Sequence, residues 1–205
     1  MTFSCLNSQQ LDALREIGNV GMGHAATALS QLTGNTIHLE VPRVVLADTV
    51  TMPELLGGAD RVVVGIYLRM LGNAQGNILM VFPRENAVRI LEELLPGKVS
   101  EGEALSELEL SALKELGNIL ASAYLNALGE LLGMTLIPSV PLICIDRVGS
   151  VIRNAADEFG EPGELTLILD TEFFSKDERV SGQFFLLPSP SSLGTILSAL
   201  GMVPA

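Results

Sequence analysis

The 205-residue sequence has no tryptophan, only two histidines, and two cysteines, Cys5 and Cys144. The cysteines show neither the spacing of a zinc site nor a disulfide framework, which is typical of a reducing compartment, and we expect a cytoplasmic protein. Basic residues are also scarce, with 12 Lys and Arg against 24 Asp and Glu, and they form no cluster. A nucleic-acid partner is therefore disfavoured, because binding to phosphates needs a basic surface.

Long uninterrupted hydrophobic runs are absent too, although 48% of the residues are hydrophobic and the mean hydropathy is +0.42. The most apolar stretch, from Leu116 to Ile145, contains Glu130 and is broken by several glycines and prolines. A membrane-spanning helix needs about 20 continuous apolar residues. This stretch therefore predicts a buried helix followed by a buried strand, without membrane insertion. The N-terminus lacks the basic segment and apolar run of a signal peptide.

An internal repeat is present instead. Residues 12–42 and 111–141 align without a gap, and 12 of the 31 aligned positions are identical. Both copies have the pattern [D/S]-x3-E-x2-N-x22-P, which begins at Asp12 and Ser111 and ends at Pro42 and Pro141. A duplicated unit that has kept its polar residues along with its packing residues is therefore indicated.

Each half of the sequence predicts the order helix, strand, strand, strand, helix. In the first half, a long helix is capped by Asn7 or Ser8 and ends at Gly34, and the GNAQG segment at 72–76 forms a hairpin turn. In the second half, Ser106 and Glu109 form a capping box before a helix that runs to about Leu132. The predicted strands are 36–46, 61–70, 77–82, 135–145, 164–174 and 180–187, and the predicted short helices are 85–95 and 191–200.

We therefore expect a single domain, residues 1–205, made of two repeated halves, 1–95 and 104–205, joined by a linker at 96–103. The predicted fold class is α/β (α+β) with pseudo-two-fold symmetry. A mostly antiparallel sheet of about six strands is covered by two long and two short helices. The segment from Gly149 to Gly163 is the most divergent insertion.

The repeated polar residues fall on one narrow face of each long helix. A helix turns about 100° per residue, so positions i, i+4 and i+7 lie within about 60° of one another. The first strip comprises Asp12, Glu16 and Asn19, and the second strip comprises Ser111, Glu115 and Asn118. Both strips lie opposite the apolar stripe and should face solvent. The glycine before each Asn predicts the close approach of a partner or a packed element.

Exposed Glu and Asn side chains on a single helix are usually only a solvated surface. The Glu and Asn are identical in both copies, whereas an aligned core position has Ile17 in the first copy and Leu116 in the second. This retention of the polar residues favours a functional role. The strips contain neither a strong nucleophile nor a base, but an amide can hold a water molecule. This suits in-line attack on a phosphoryl group of another protein, where positioning is most of the work. A Glu can pair with a Lys of that partner.

The two spaced motifs, in the stretches EIGNVGMGHAATALS and LGNILASAYLNALGELLG, resemble the CheC/CheX/FliY phosphatases of bacterial chemotaxis, and the CheC-like members most. The resemblance covers nearly the whole chain and implies hydrolysis of the aspartyl phosphate of CheY. It implies that Glu16 and Glu115 contact the active-site Lys of CheY and that Asn19 and Asn118 orient the attacking water, with Asp12 and Ser111 in support. The required Mg²⁺ would belong to CheY, and this chain would need no cofactor or metal of its own.

Two other functions stay open. Family members also bind the receptor deamidase CheD, so an adaptor that binds CheD or CheY with weak or no catalysis, and thereby regulates receptor deamidation, is one alternative. A structural component of the flagellar switch is the other, but it would be expected to carry a further assembly domain. The intact Asn in both motifs favours the enzyme.

Other polar and glycine signals are weaker. His24, where the family more often has Asn, and His38 lie on different predicted elements, which disfavours a metal site or a Ser/His pair. The glycines of GNVGMG fall inside a helix, so a phosphate-binding loop is not supported. Gly21 and Gly23 are expected to permit tight packing against the second long helix.

Overall fold

The structure, a computed structural model, describes residues 8–48, 52–100, 102, 104–159, 165–175 and 178–199. Within these ranges the chain forms six helices and seven strands. The helices are α1 (Ser8–Thr33), α2 (Met52–Leu55), α3 (Arg84–Leu94), α4 (Glu107–Leu132), α5 (Val148–Phe159) and α6 (Pro190–Ala199). The strands are β1 (Ile37–Asp48), β2 (Val62–Gly72), β3 (Gly76–Pro83), β4 (Leu136–Pro138), β5 (Leu142–Arg147), β6 (Leu165–Ser175) and β7 (Glu178–Pro188).

The seven strands form one antiparallel sheet in the order β1-β6-β7-β3-β2-β4, and β5 also pairs with β2. The hairpins β2–β3 and β6–β7 meet at the centre, where β3 pairs with β7. At one edge, β1 pairs with β6 from the later part of the chain, and at the other edge β4 and β5 pair with β2 from the earlier part. The earlier and later halves of the chain therefore exchange strands with each other. The predicted division at 96–103 stays a prediction.

Helices α1 and α4 pack against each other and over one face of this sheet. Their crossing is close because Gly21 has no side chain: a Cβ there would lie 2.8 Å from the Cα of Tyr124. The larger core cluster lies between these helices and the sheet. A smaller cluster lies under α2 and α5 and includes Met52, Val151 and Phe185. No helix in the described ranges is both long enough and apolar enough to cross a membrane.

The helix ends confirm several local predictions. Gly34 follows α1 with a φ of 71°, and its N–H donates to the Ser30 carbonyl at 2.9 Å. The capping box at the start of α4 is present, since the Ser106 side chain accepts from the Glu109 N–H and the Glu109 carboxylate accepts from the Ser106 N–H. Of the two predicted caps of α1, Ser8 is the first residue of the helix, and Asn7 lies outside the described residues.

The second half corrects two predictions. The single strand predicted at 135–145 is two strands, β4 and β5, because Pro138 and Pro141 have no N–H to continue the ladder. The sheet therefore has seven strands rather than about six. Helix α5 covers much of the segment that the sequence marks as the most divergent insertion, for which no helix was predicted, and α2 was not predicted either. Val148, Val151 and Ile152 are buried at spacings of three and four, which is the helical signal that was overlooked.

Candidate functional site

Both strips lie on the outer faces of the two long helices. Asp12, Glu16 and Asn19 of α1 are exposed, as are Ser111 and Glu115 of α4, while Asn118 is half-buried. The predicted exposure of the strips is therefore present on both helices, with the second Asn set deeper than the first. Their apolar neighbours Leu14, Ile17, Leu113 and Leu116 are buried.

The glycine before each Asn allows the helix to lie close to the sheet. A Cβ on Gly18 would be 3.0 Å from the Leu169 side chain and 3.2 Å from Val41, and a Cβ on Gly117 would be 2.7 Å from Ile66. The close approach that the sequence predicted is thus made by packed strands of the same chain. The expectation for Gly23 was wrong, since it is exposed and a Cβ there would meet nothing within 4 Å.

In the first strip, the Asn19 side chain is bound to the adjacent strand. Its Oδ1 accepts a hydrogen bond from the backbone N–H of Val41 at 2.8 Å. Asp12 forms an ion pair with Arg15 one helical turn away, at 3.4 Å, and both side chains are largely exposed. Such a surface pair contributes little to stability. The amide of Asn19 is therefore the one functional candidate of this strip that the fold itself orients.

Strand β1 is irregular at the residue that contacts Asn19. Glu40 pairs with Glu172 and Arg43 pairs with Asp170, so Val41 and Pro42 together face the single residue Thr171. This is a β-bulge, in which one strand carries an extra residue and part of the ladder is disrupted. Pro42 has no N–H to offer to the ladder. The proline of the repeated motif thus lies directly beside the backbone group that binds the motif's Asn.

The second strip has a different environment. Pro141 is buried and immediately precedes β5, and Val140, the counterpart of Val41, is 82% exposed. The Asn118 side chain makes no hydrogen bond to the part of the chain that the structure describes. The same sequence motif therefore gives a bound amide on α1 and an unbound one on α4. Sequence reasoning missed this difference, because Val41 contributes a backbone group.

The carboxylates of the strips are accessible to a partner. Glu16 and Glu115 are exposed and form no ion pair with any described residue. A Glu and an Asn on one exposed face can bind a cation of a docked protein and hold a water molecule beside it.

His24 and His38 are exposed on α1 and β1. No three His, Cys, Asp or Glu side chains in the described ranges are grouped so that they could hold a metal ion.

Comparison with known proteins shows which family has this pair of motifs. The model of the CheC-like family matches the chain twice, at residues 10–46 and 108–144, which contain the two repeats. The chain is 37% identical over 203 residues to the CheY-P phosphatase CheC of Bacillus subtilis (strain 168), covering 97% of each chain. This chain belongs to the CheC-like family. The putative CheY-P phosphatase CheC1 of Halobacterium salinarum is 26% identical over 195 residues, 95% of this chain and 98% of that protein.

The CheC-like fold is also found in a solved structure. The crystal structure of Thermotoga maritima FliY aligns with a TM-score of 0.78 at 22% identity, over 97% of this chain and 98% of that one. This similarity confirms the mixed α/β architecture with an antiparallel sheet. At this level of identity it concerns the fold alone.

Proposed function

We propose that this chain hydrolyses the aspartyl phosphate of a CheY-type response regulator. The observation that carries the proposal is the 37% identity, over 97% of both chains, to a protein named as a CheY-P phosphatase. The two exposed Glu and Asn strips supply residues suited to that reaction on both long helices. A protein with this activity would act where CheY is found, in the cytoplasm.

In the proposed reaction, water attacks the phosphorus in line with the bond to the aspartate. That P–O bond breaks, the aspartate leaves as a carboxylate, and inorganic phosphate is released. Asn19 or Asn118 holds the water, since an amide can accept from and donate to it at the same time. Most of the rate gain in such a transfer comes from positioning and electrostatic stabilisation. The Mg²⁺ would be held by CheY, where it would supply positive charge beside the phosphoryl oxygens.

Glu16 and Glu115 act in docking in this proposal. Each exposed carboxylate pairs with the active-site Lys of CheY, and a charge-assisted hydrogen bond of this kind fixes orientation as well as affinity. Because neither Glu is paired with another described residue, docking breaks no internal ion pair. Asp12 and Ser111 border the docking face one turn earlier on each helix.

The experiment that tests the proposal is the loss of phosphate from phosphorylated CheY of Bacillus subtilis with and without this chain. We expect sub-stoichiometric amounts of the chain to accelerate the loss. Binding of phosphorylated CheY without any acceleration would instead support the adaptor function, in which case binding to CheD becomes the next measurement. Neither acceleration nor binding would contradict both.

A further inference from the structure

The repeated motif places a proline 23 residues after its Asn, and the first copy shows what that spacing achieves. The bulge at Val41 and Pro42 takes the Val41 N–H out of the regular ladder between β1 and β6. That N–H donates to Asn19 Oδ1 at 2.8 Å. An Ala at position 42 would regain an N–H and could pair regularly with β6, which would compete with the bulge.

This hydrogen bond fixes which end of the amide faces outward. A backbone N–H can only donate, so the atom that it meets on Asn19 must be the carbonyl oxygen and not the nitrogen. The Nδ2 group then points away from β1, and Oδ1 keeps a second lone pair. Asn19 can still donate to and accept from a water molecule, but in one orientation of its side chain only.

The fit of α1 against the sheet keeps this bond short. Gly18 precedes Asn19, and a Cβ there would press on Leu169 at 3.0 Å and on Val41 at 3.2 Å. These neighbours are buried and cannot move freely. A side chain at position 18 would therefore push the helix away from the strand that carries the donor.

We propose that Pro42 is a positioning residue for the first strip: through the bulge it presents the Val41 N–H to Asn19 and so fixes the amide that orients the attacking water. This inference rests on the proposed phosphatase function. It is confined to the first strip, because Val140 is exposed, Pro141 is buried and Asn118 lacks the equivalent bond within the described residues. Pro42 itself is exposed.

The kinetic test uses a chain in which only the first strip is intact, the Asn118→Ala variant. We expect Pro42→Ala in this background to lower kcat roughly tenfold with little change in KM, since small misplacements of a positioning group cost rate. His38→Ala is the matched control, because His38 is an exposed β1 residue that pairs regularly with Phe174 outside the bulge, and it should leave kcat unchanged. An unchanged kcat in the Pro42 variant would overturn the proposal.

Amide hydrogen exchange gives a second readout that does not depend on activity. The Val41 N–H should exchange slowly in the parent, quickly in Asn19→Ala, and slowly again in Asn19→Asp, whose carboxylate still accepts the bond. Asn19→Asp should nevertheless lose the first-strip activity, because it has no Nδ2 donor. Exchange that is slow in every variant would show that the Asn19 bond is not what protects this amide, and would overturn the proposal.

The two failures can be told apart. A wild-type chain that does not accelerate phosphate loss contradicts the proposed function itself. An active wild type whose Asn118→Ala variant is inactive shows that Asn19 does not orient water on its own, which overturns the positioning role of Pro42 in an independent first strip even if the hydrogen bond is present.

Discussion

Asn19 and Val41 lie 22 residues apart, and the Oδ1 of Asn19 accepts the Val41 N–H at 2.8 Å. This bond joins the exposed face of α1 to the irregular point of β1. Asn19 therefore has a structural partner in addition to its proposed role with water, whereas Asn118 has none among the described residues. The two strips should consequently differ in what a substitution of their Asn does to the fold.

The first prediction is this difference in stability. Asn19→Ala leaves the Val41 N–H without its partner and should lower the free energy of unfolding by about 1 kcal/mol. Asn118→Ala removes no hydrogen bond and should change it by less than about 0.5 kcal/mol. Urea unfolding of the two single variants measures both values. Equal losses would mean that the Asn19 bond contributes nothing net to folding.

The second prediction concerns two glycines of α1 that differ only in their surroundings. Gly21→Ala would place a Cβ 2.8 Å from the Cα of Tyr124, so the long helices must move apart. We expect a loss of about 1–3 kcal/mol, as for other overpacked sites. Gly23→Ala meets nothing within 4 Å and should stabilise the helix by up to about 1 kcal/mol. Thermal unfolding gives the signs, and a Gly21 variant as stable as the wild type would contradict the observed crossing.

The third prediction is a pH dependence at the start of α4. Hydrogen bonds from the Ser106 hydroxyl and N–H, and from the Ser100 N–H and hydroxyl, lower the pKa of the buried Glu109 carboxyl to about 2. Because the folded pKa is below the unfolded one, this carboxylate stabilises the fold above the unfolded pKa. That contribution is lost as the pH falls through the folded pKa.

The stability difference between wild type and Glu109→Gln isolates this group. It should be largest at neutral pH and shrink as the pH falls from about 4.5 to about 2. Urea unfolding at several pH values follows it. A difference that stays constant across this range would show that Glu109 contributes no proton-linked stability.

The fourth prediction concerns docking. Glu16→Lys together with Glu115→Lys should weaken binding of phosphorylated CheY, because each new Lys repels the Lys of the partner. Glu54→Lys together with Glu92→Lys is the matched control, since these exposed residues lie outside the strips and the change in net charge is the same. Titration with phosphorylated CheY compares the two. Equal weakening by both pairs would indicate that only net charge matters, and the specific Glu contact would be wrong.

Local sequence signals predicted much of this fold. Gly34 ends α1 and the Ser106–Glu109 box begins α4 because each is determined by residues within one helical turn. The pairing of β1 with β6, and of β4 and β5 with β2, joins the two halves of the chain. It was not predicted, since it depends on contacts far apart in sequence. The prediction of one strand at 135–145 was wrong because two prolines within it interrupt the strand. Helix α5 was missed although the spacing of its apolar residues is helical.

From the sequence, the candidate site could be proposed only as a set of side chains. The offset of the repeat makes Glu16, Asn19, Glu115 and Asn118 the candidate residues, and the helical period predicts that each pair lies on one face of its helix. The Val41 N–H has no signature in the sequence, because every residue except proline carries the same group. Pro42 was the only sequence feature that indicated an irregular backbone beside this N–H. The difference between the bulge at Pro42 and the buried position of Pro141 appears only in the three-dimensional structure.

The most direct measurement is single-turnover loss of phosphate from phosphorylated CheY with the wild type, Asn19→Ala, Asn118→Ala and the double variant. The strips lie on separate helices, and distant sites usually behave additively. Each single variant should therefore keep part of the activity, with the two residual rates unequal and summing to about the wild-type rate. Loss of all activity in either single variant would indicate one composite centre. The folded double variant should do no more than CheY does alone, and wild-type dephosphorylation by that variant would contradict the proposal that these two amides orient the attacking water.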